Sequence, residues 1–94
     1  MGVAETLRRK LQRGLNPERI EVIDESGKHI GHAGARPDGE THFRVVVIAE
    51  IFAGRTRLER QRLVNALLAE ELAGRVHALS MSLKTPAEEN MVNI

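Results

Sequence analysis

The sequence contains no cysteine, no tryptophan and no tyrosine, and only two phenylalanines, Phe43 and Phe52, in 94 residues. Without thiols there is no disulfide framework and no thiolate chemistry of the chain's own. The scarcity of aromatic rings removes the stacking platforms on which binders of single-stranded nucleic acid rely, and it leaves the core to aliphatic residues. A formal net charge of +1 provides no strong global field for nucleic acid or membrane. No apolar run reaches transmembrane length and no secretory signal core opens the chain, so a cytoplasmic protein with no membrane association is expected. The G-x-S-x-G elbow and the G-x-x-x-x-G-K-[ST] loop are both missing, and no carboxylate pair is marked by spacing. No catalytic residue is assigned, and the chain reads as non-enzymatic.

What is present is 41% hydrophobic and 29% charged, the balance of a globular protein. Residues 1–94 read as one domain with a folded core over about residues 3–88. Four histidines, His29, His32, His42 and His77, combine a near-neutral pKa with metal ligation. His29-x-x-His32 lies in the Gly-rich stretch Gly27 to Gly34, and both imidazoles could reach one centre. A self-contained structural zinc site needs three or four protein ligands, so this pair is incomplete alone. His42, flanked by Thr41 and Phe43 in a strand-like segment, reads as a packed structural residue. Basic residues cluster as Arg8, Arg9, Lys10 and Arg13, and again as Arg55, Arg57, Arg60 and Arg62. The second cluster offers either phosphate contacts or a solvated helix face.

Val3, Ala4, Leu7, Leu11 and Leu15 recur at helical spacing and predict a helix over residues 3–14, stopped by Gly14 and Asn16-Pro17. Arg19 to Asp24 alternates as a short strand, and Asp24 to Gly39 reads as a long functional loop. Glu40 to Phe52 is the strongest strand pattern, with Phe43, Val45, Val47, Ala49 and Ile51 on one face. Thr56 and Glu59 form a capping-box signature ahead of a helix that runs to Gly74. Arg60 and Glu71 fall within the arc of Val64 and Leu67, so the helix either overhangs the sheet or breaks in two. Val76 to Lys84 predicts a third strand, with Leu79, Met81 and Leu83 on its apolar face and His77 sharing that face. Thr85 to Glu89 opens a last helix. The order predicts an α+β fold, a small three-stranded sheet with helices on one face, and αββααβ is compatible with a class II KH-like arrangement. The single G-x-x-G, Gly31 to Gly34, lies between strands rather than between helices.

Glu40-Thr41-His42-Phe43, Phe52-Ala53-Gly54, Arg60-Gln61-Arg62-Leu63-Val64, Glu70-Glu71-Leu72 and Val76-His77-Ala78-Leu79-Ser80 together resemble the BolA family. The resemblance extends from the first helix to Thr85-Pro86-Ala87-Glu88, and the order and spacing of these motifs are specific. It implies a KH-like fold without catalytic activity, and partnership with monothiol glutaredoxins carrying a Cys-Gly-Phe-Ser motif. The partners would share a [2Fe–2S] cluster whose thiolates come from the glutaredoxin and glutathione. The BolA-like chain would supply His77 and a second ligand from the loop between the first two strands, so this sequence resembles the histidine-loop type. That ligand maps to His32 or His29, with the spacing from Glu40-Thr41-His42-Phe43 favouring His32. The isolated chain would hold no cluster tightly, and would exist as a monomer or as a heterodimer with the glutaredoxin. Expected roles are cluster trafficking, iron or redox sensing, and stress response. The alternative is a DNA-binding transcriptional regulator using Arg55, Arg57, Arg60 and Arg62. Two motifs depart from the family pattern: Arg60-Gln61-Arg62 replaces Arg-His-Arg, and Glu89-Asn90 stands where a tryptophan often follows Pro-x-Glu.

Overall fold

The computed structural model describes residues 2–26 and 41–92. The first helix, α1, spans Val3–Leu15 and buries Leu7, Leu11 and Leu15, one residue per turn along a single stripe. It ends where Asn16 adopts φ 45° and its N–H bonds Gln12 O at 3.1 Å. Asparagine tolerates this left-handed conformation better than most side chains, which makes it a competent helix terminator. Gly14 is therefore not the stop expected from the sequence. It lies inside the helix, where a Cβ would come within 2.6 Å of both Leu67 methyls, so its missing side chain admits a close helix–helix approach.

Strand β1, Arg19–Asp24, has the predicted bounds and pairs antiparallel with β2, His42–Ile48, in the register Arg19 to Ile48 through Asp24 to Phe43. Strand β2 is shorter than the predicted Glu40 to Phe52. Beyond Ile48 the Ala49 N–H bonds Lys84 O, and Glu50–Phe52 forms a 3-10 turn that buries Phe52 and leaves Ile51 exposed. Alternation could not reveal this end, because an apolar residue every second position also fits a strand that has begun to turn. Gly54, at φ 76°, completes the reversal in a conformation that favours glycine.

The predicted long helix is two helices, α2 (Arg57–Leu67) and α3 (Ala69–Ala73), meeting at Leu68 with φ −107° and ψ 20°. The break resolves the misplaced Arg60 and Glu71. Arg60 keeps 11% of its side chain exposed, and Glu71, at 14%, takes a 2.8 Å ion pair from Lys10 of α1. The hydrogen bond to Glu71 raises the Lys10 pKa above its usual value. The capping box forms as expected: Thr56 Oγ1 accepts from the Glu59 N–H at 3.1 Å, and the Glu59 carboxylate accepts from the Thr56 N–H at 2.7 Å. That backbone bond lowers the Glu59 pKa.

Strand β3 covers Ala78–Lys84 and runs parallel to β2, giving the order β1-β2-β3 with β2 central. Helices α1 to α3 cover the face bearing Phe43, Val45 and Val47, and Leu11, Phe52, Val64 and Leu68 complete a fully buried apolar centre. The last helix, α4, spans Pro86–Val92, and its Glu89 reaches both Arg19 and Lys84. Among the described residues no helix is long and apolar enough to cross a membrane.

Candidate functional site around His77

The end of the sheet where β1 stops and β2 and β3 begin is built on two buried hydroxyl residues. Ser26 and Thr41 are 1% and 0% exposed. Ser26 follows Asp24, whose carboxylate accepts the Ser26 N–H at 2.8 Å in an Asx-type turn. The Ser26 hydroxyl then accepts the N–H groups of Thr41 at 2.8 Å and His42 at 3.0 Å. Buried backbone donors require such partners, and here one side chain satisfies two of them. The Ser26–Thr41 clasp thus ties together the two points where residues 27–40 leave and rejoin the described fold. His29 and His32 belong to that segment and lie outside the described residues, as does most of the expected Asp24 to Gly39 loop.

Thr41 O accepts two consecutive donors, the His77 N–H at 2.7 Å and the Ala78 N–H at 3.3 Å. Two successive donors on one acceptor are a bulge-like irregularity, and the strand alternation does not carry back through it. The expectation that His77 shares the apolar face of Leu79 is therefore corrected. His77 is exposed, precedes β3, and stacks its ring on that of His42, with centroids 6.2 Å apart and planes 19° apart. Nδ1 of His42 lies 2.8 Å from Thr41 Oγ1. His42, expected from its flanking residues to be a packed structural residue, thus stands beside His77, a neighbour that its strand-like context does not signal. Asp24-x-Ser26 was the visible signal for the clasp, but nothing in the chain's order pairs Ser26 with Thr41. Among the described residues there is no group of three or more potential metal ligands around His77 and His42.

The arginine cluster divides. Arg60 is committed internally: it donates to Leu83 O and Arg55 O, each at 3.1 Å, and grips Glu88 through two bonds of 2.6 and 3.1 Å. Its guanidinium also stands 5.8 Å from the Phe52 ring centroid. Glu88 accepts the Thr85 N–H at 2.8 Å in turn, and the Arg60 bonds, ahead of that one, lower its pKa from 4.5 to about 2. Arg55, Arg57 and Arg62 are exposed.

With this geometry in place, comparison with known proteins is decisive at the family level. The family model for BolA-like proteins matches residues 11–88. The chain belongs to the BolA family. It is 51% identical over 86 residues to BolA-like protein 1 of Bos taurus, covering 92% of this chain and 61% of that protein. The chain therefore spans about 61% of the length of that relative, and a similar share of the other mammalian BolA-like proteins it matches. The solved BolA1 structure from Arabidopsis thaliana superimposes with a TM-score of 0.83 at 40% identity, covering 94% of this chain and 96% of that one. A Vibrio cholerae relative named DNA-binding transcriptional regulator BolA is 38% identical over 91 residues, covering 97% of this chain and 82% of that protein. The BolA fold thus accounts for the three-stranded sheet and its helices.

Proposed function

We propose that this BolA-family chain is a non-enzymatic cytoplasmic adaptor that binds a monothiol glutaredoxin and contributes His77, with His32 or His29, to a bridging [2Fe–2S] cluster. The observation that carries the reading is the exposed imidazole of His77, anchored by its backbone on Thr41 beside the clasped ends of the segment that contains both loop histidines. The donor chemistry fits half a site. This chain has imidazoles to offer and no cysteine, so any thiolates must come from glutathione and the partner. Such a cluster, when bound, supplies one-electron redox chemistry, and histidine in place of thiolate raises its potential and makes ligation sensitive to protonation. The chain's own residues hold the His77 backbone through Thr41, stack His42 against its ring, and keep the ring at the surface where a partner can reach it.

The test is reconstitution with a glutaredoxin bearing the Cys-Gly-Phe-Ser motif and glutathione, followed by visible circular dichroism. His77→Ala is expected to abolish or reshape the bands of the mixed complex, and an unchanged spectrum sinks the assignment. Comparing His32→Ala with His29→Ala identifies the loop ligand, and equal, negligible effects would remove the loop from the site.

A second reading, DNA-binding regulation, is favoured by the exposure of Arg55, Arg57 and Arg62 and by the name of the Vibrio cholerae relative. It is the weaker one. Arg60 is consumed by Glu88 and Leu83, which leaves Arg55, Arg57 and Arg62 of the cluster for phosphate contacts. If it holds, affinity for duplex DNA falls steeply with salt as phosphate contacts release counterions. No binding at low salt removes it.

A further inference from the structure

Strand β3 is an edge. Among the described residues no strand pairs with its outer side, and beside that side runs a groove of about 470 Å³ walled by Arg55, Arg57 and Arg60. The floor is β3 itself, residues Met81 to Lys84. The direction of the edge follows from two hydrogen bonds. Lys84 O accepts from Ala49 and so faces inward toward the end of β2, whereas Leu83 O accepts from Arg60 and faces the groove. Backbone groups alternate along a strand, so the N–H and C=O of Met81 and Leu79 face outward with those of Leu83. Arg60 caps the Leu83 carbonyl and closes the edge at that end. An incoming strand therefore pairs with Leu79 and Met81, and its end nearer Leu83 lies beside Arg55 and Arg57.

The charge of the groove selects what can lie there. Four cationic side chains, Arg55, Arg57, Arg60 and Lys84, line it; Glu88 neutralises Arg60 and Glu89 pairs with Lys84, which leaves Arg55 and Arg57 as its uncompensated charges. Arg57 makes no hydrogen bond or ion pair among the described residues. The geometry points to an acidic, extended peptide segment of a partner protein, added to β3 as a fourth strand with its carboxylates on Arg55 and Arg57. Backbone pairing supplies affinity in this mode and the flanking charges supply selectivity. A peptide suits the groove better than a nucleic acid strand. The groove offers an outward-facing ladder of backbone groups, which a peptide can pair with and a nucleic acid strand cannot, and no stacking ring for bases. This inference does not depend on the cluster reading.

The probe is a fluorescein-labelled peptide of alternating aspartate and valine, six residues long, followed by anisotropy at low salt with the unmodified chain. Saturable binding is expected, with Met81 and Leu79 amides becoming protected from hydrogen exchange in the complex. Arg57→Glu, a change at an exposed and uncommitted position, should weaken binding roughly tenfold. The same peptide N-methylated at alternate residues should not bind, and a lysine-for-aspartate version should bind far more weakly. Equal binding of the N-methylated or lysine peptide overturns the proposal, as does an unprotected Met81 amide. Binding of oligothymidylate through Arg57 without binding of the acidic peptide overturns it in favour of nucleic acid.

Discussion

Ser26 shows how much one small side chain organises. Its hydroxyl is the acceptor for two backbone donors, and through Thr41 it fixes the backbone on which His77 hangs. Ser26→Ala leaves the buried Thr41 N–H without its acceptor, and the expected loss is about 1–3 kcal/mol, read as a shift in the urea midpoint at constant m-value. Glu88 makes the opposite kind of contribution, one that depends on pH. Its pKa of about 2 lies below the usual 4.5, so the stabilisation it brings is complete above 4.5 and is lost as the pH falls toward 2. Glu88→Gln should therefore lower the melting temperature at pH 7, and the gap between variant and parent should close between pH 4.5 and 2. At this scale the sequence was only partly legible. The histidines announce themselves by chemistry, and Arg60 betrays its largely buried side chain by falling in an apolar arc. The stacking of His42 on His77 does not, since it depends on two consecutive N–H groups sharing Thr41 O, a local irregularity that no periodicity encodes.

Among the elements, local signals were read correctly where the cause is local. Strand β1 has its predicted bounds because alternation, Pro17 before it and the Asx-type turn that starts at its last residue, Asp24, act within a few residues. The capping box at Thr56 and Glu59 is likewise self-contained. Gly14 was misread because its reason lies on another helix. A glycine near a helix end suggests a terminator, yet its role is to let Leu67 approach α1. Gly14→Val adds branched bulk at that contact, and overpacking should cost about 1–3 kcal/mol in a chemical denaturation series. A Leu67→Ala background should relieve part of that cost, because the two changes share one contact.

Across the whole molecule, β2 is the element on which everything rests. It pairs antiparallel with β1 and parallel with β3, and its Phe43, Val45 and Val47 are fully buried. Native-state hydrogen exchange should accordingly be slowest at the amides of Val45 and Val47, with α3 and α4 exchanging earlier through local opening. Similar rates in α4 and β2 would contradict that hierarchy. The αββααβ order, the sheet and the helical layer were all readable from the chain, because hydrophobic period and turn residues report them directly. The open edge of β3 was not, since strand order appears only once the parallel pairing with β2 is formed.

The clasp at Ser26 and Thr41 has one more consequence, which concerns variation rather than stability. By fixing both ends of residues 27–40 on the sheet, it separates the length of that segment from the integrity of the fold. Once two ends are held, lengthening the chain between them costs only about 0.6 kcal/mol per doubling. Residues can then be gained, lost or exchanged within the span while His77 and its support stay where they are. The fold is thus a constant frame, and the span it holds at both ends carries both loop histidines.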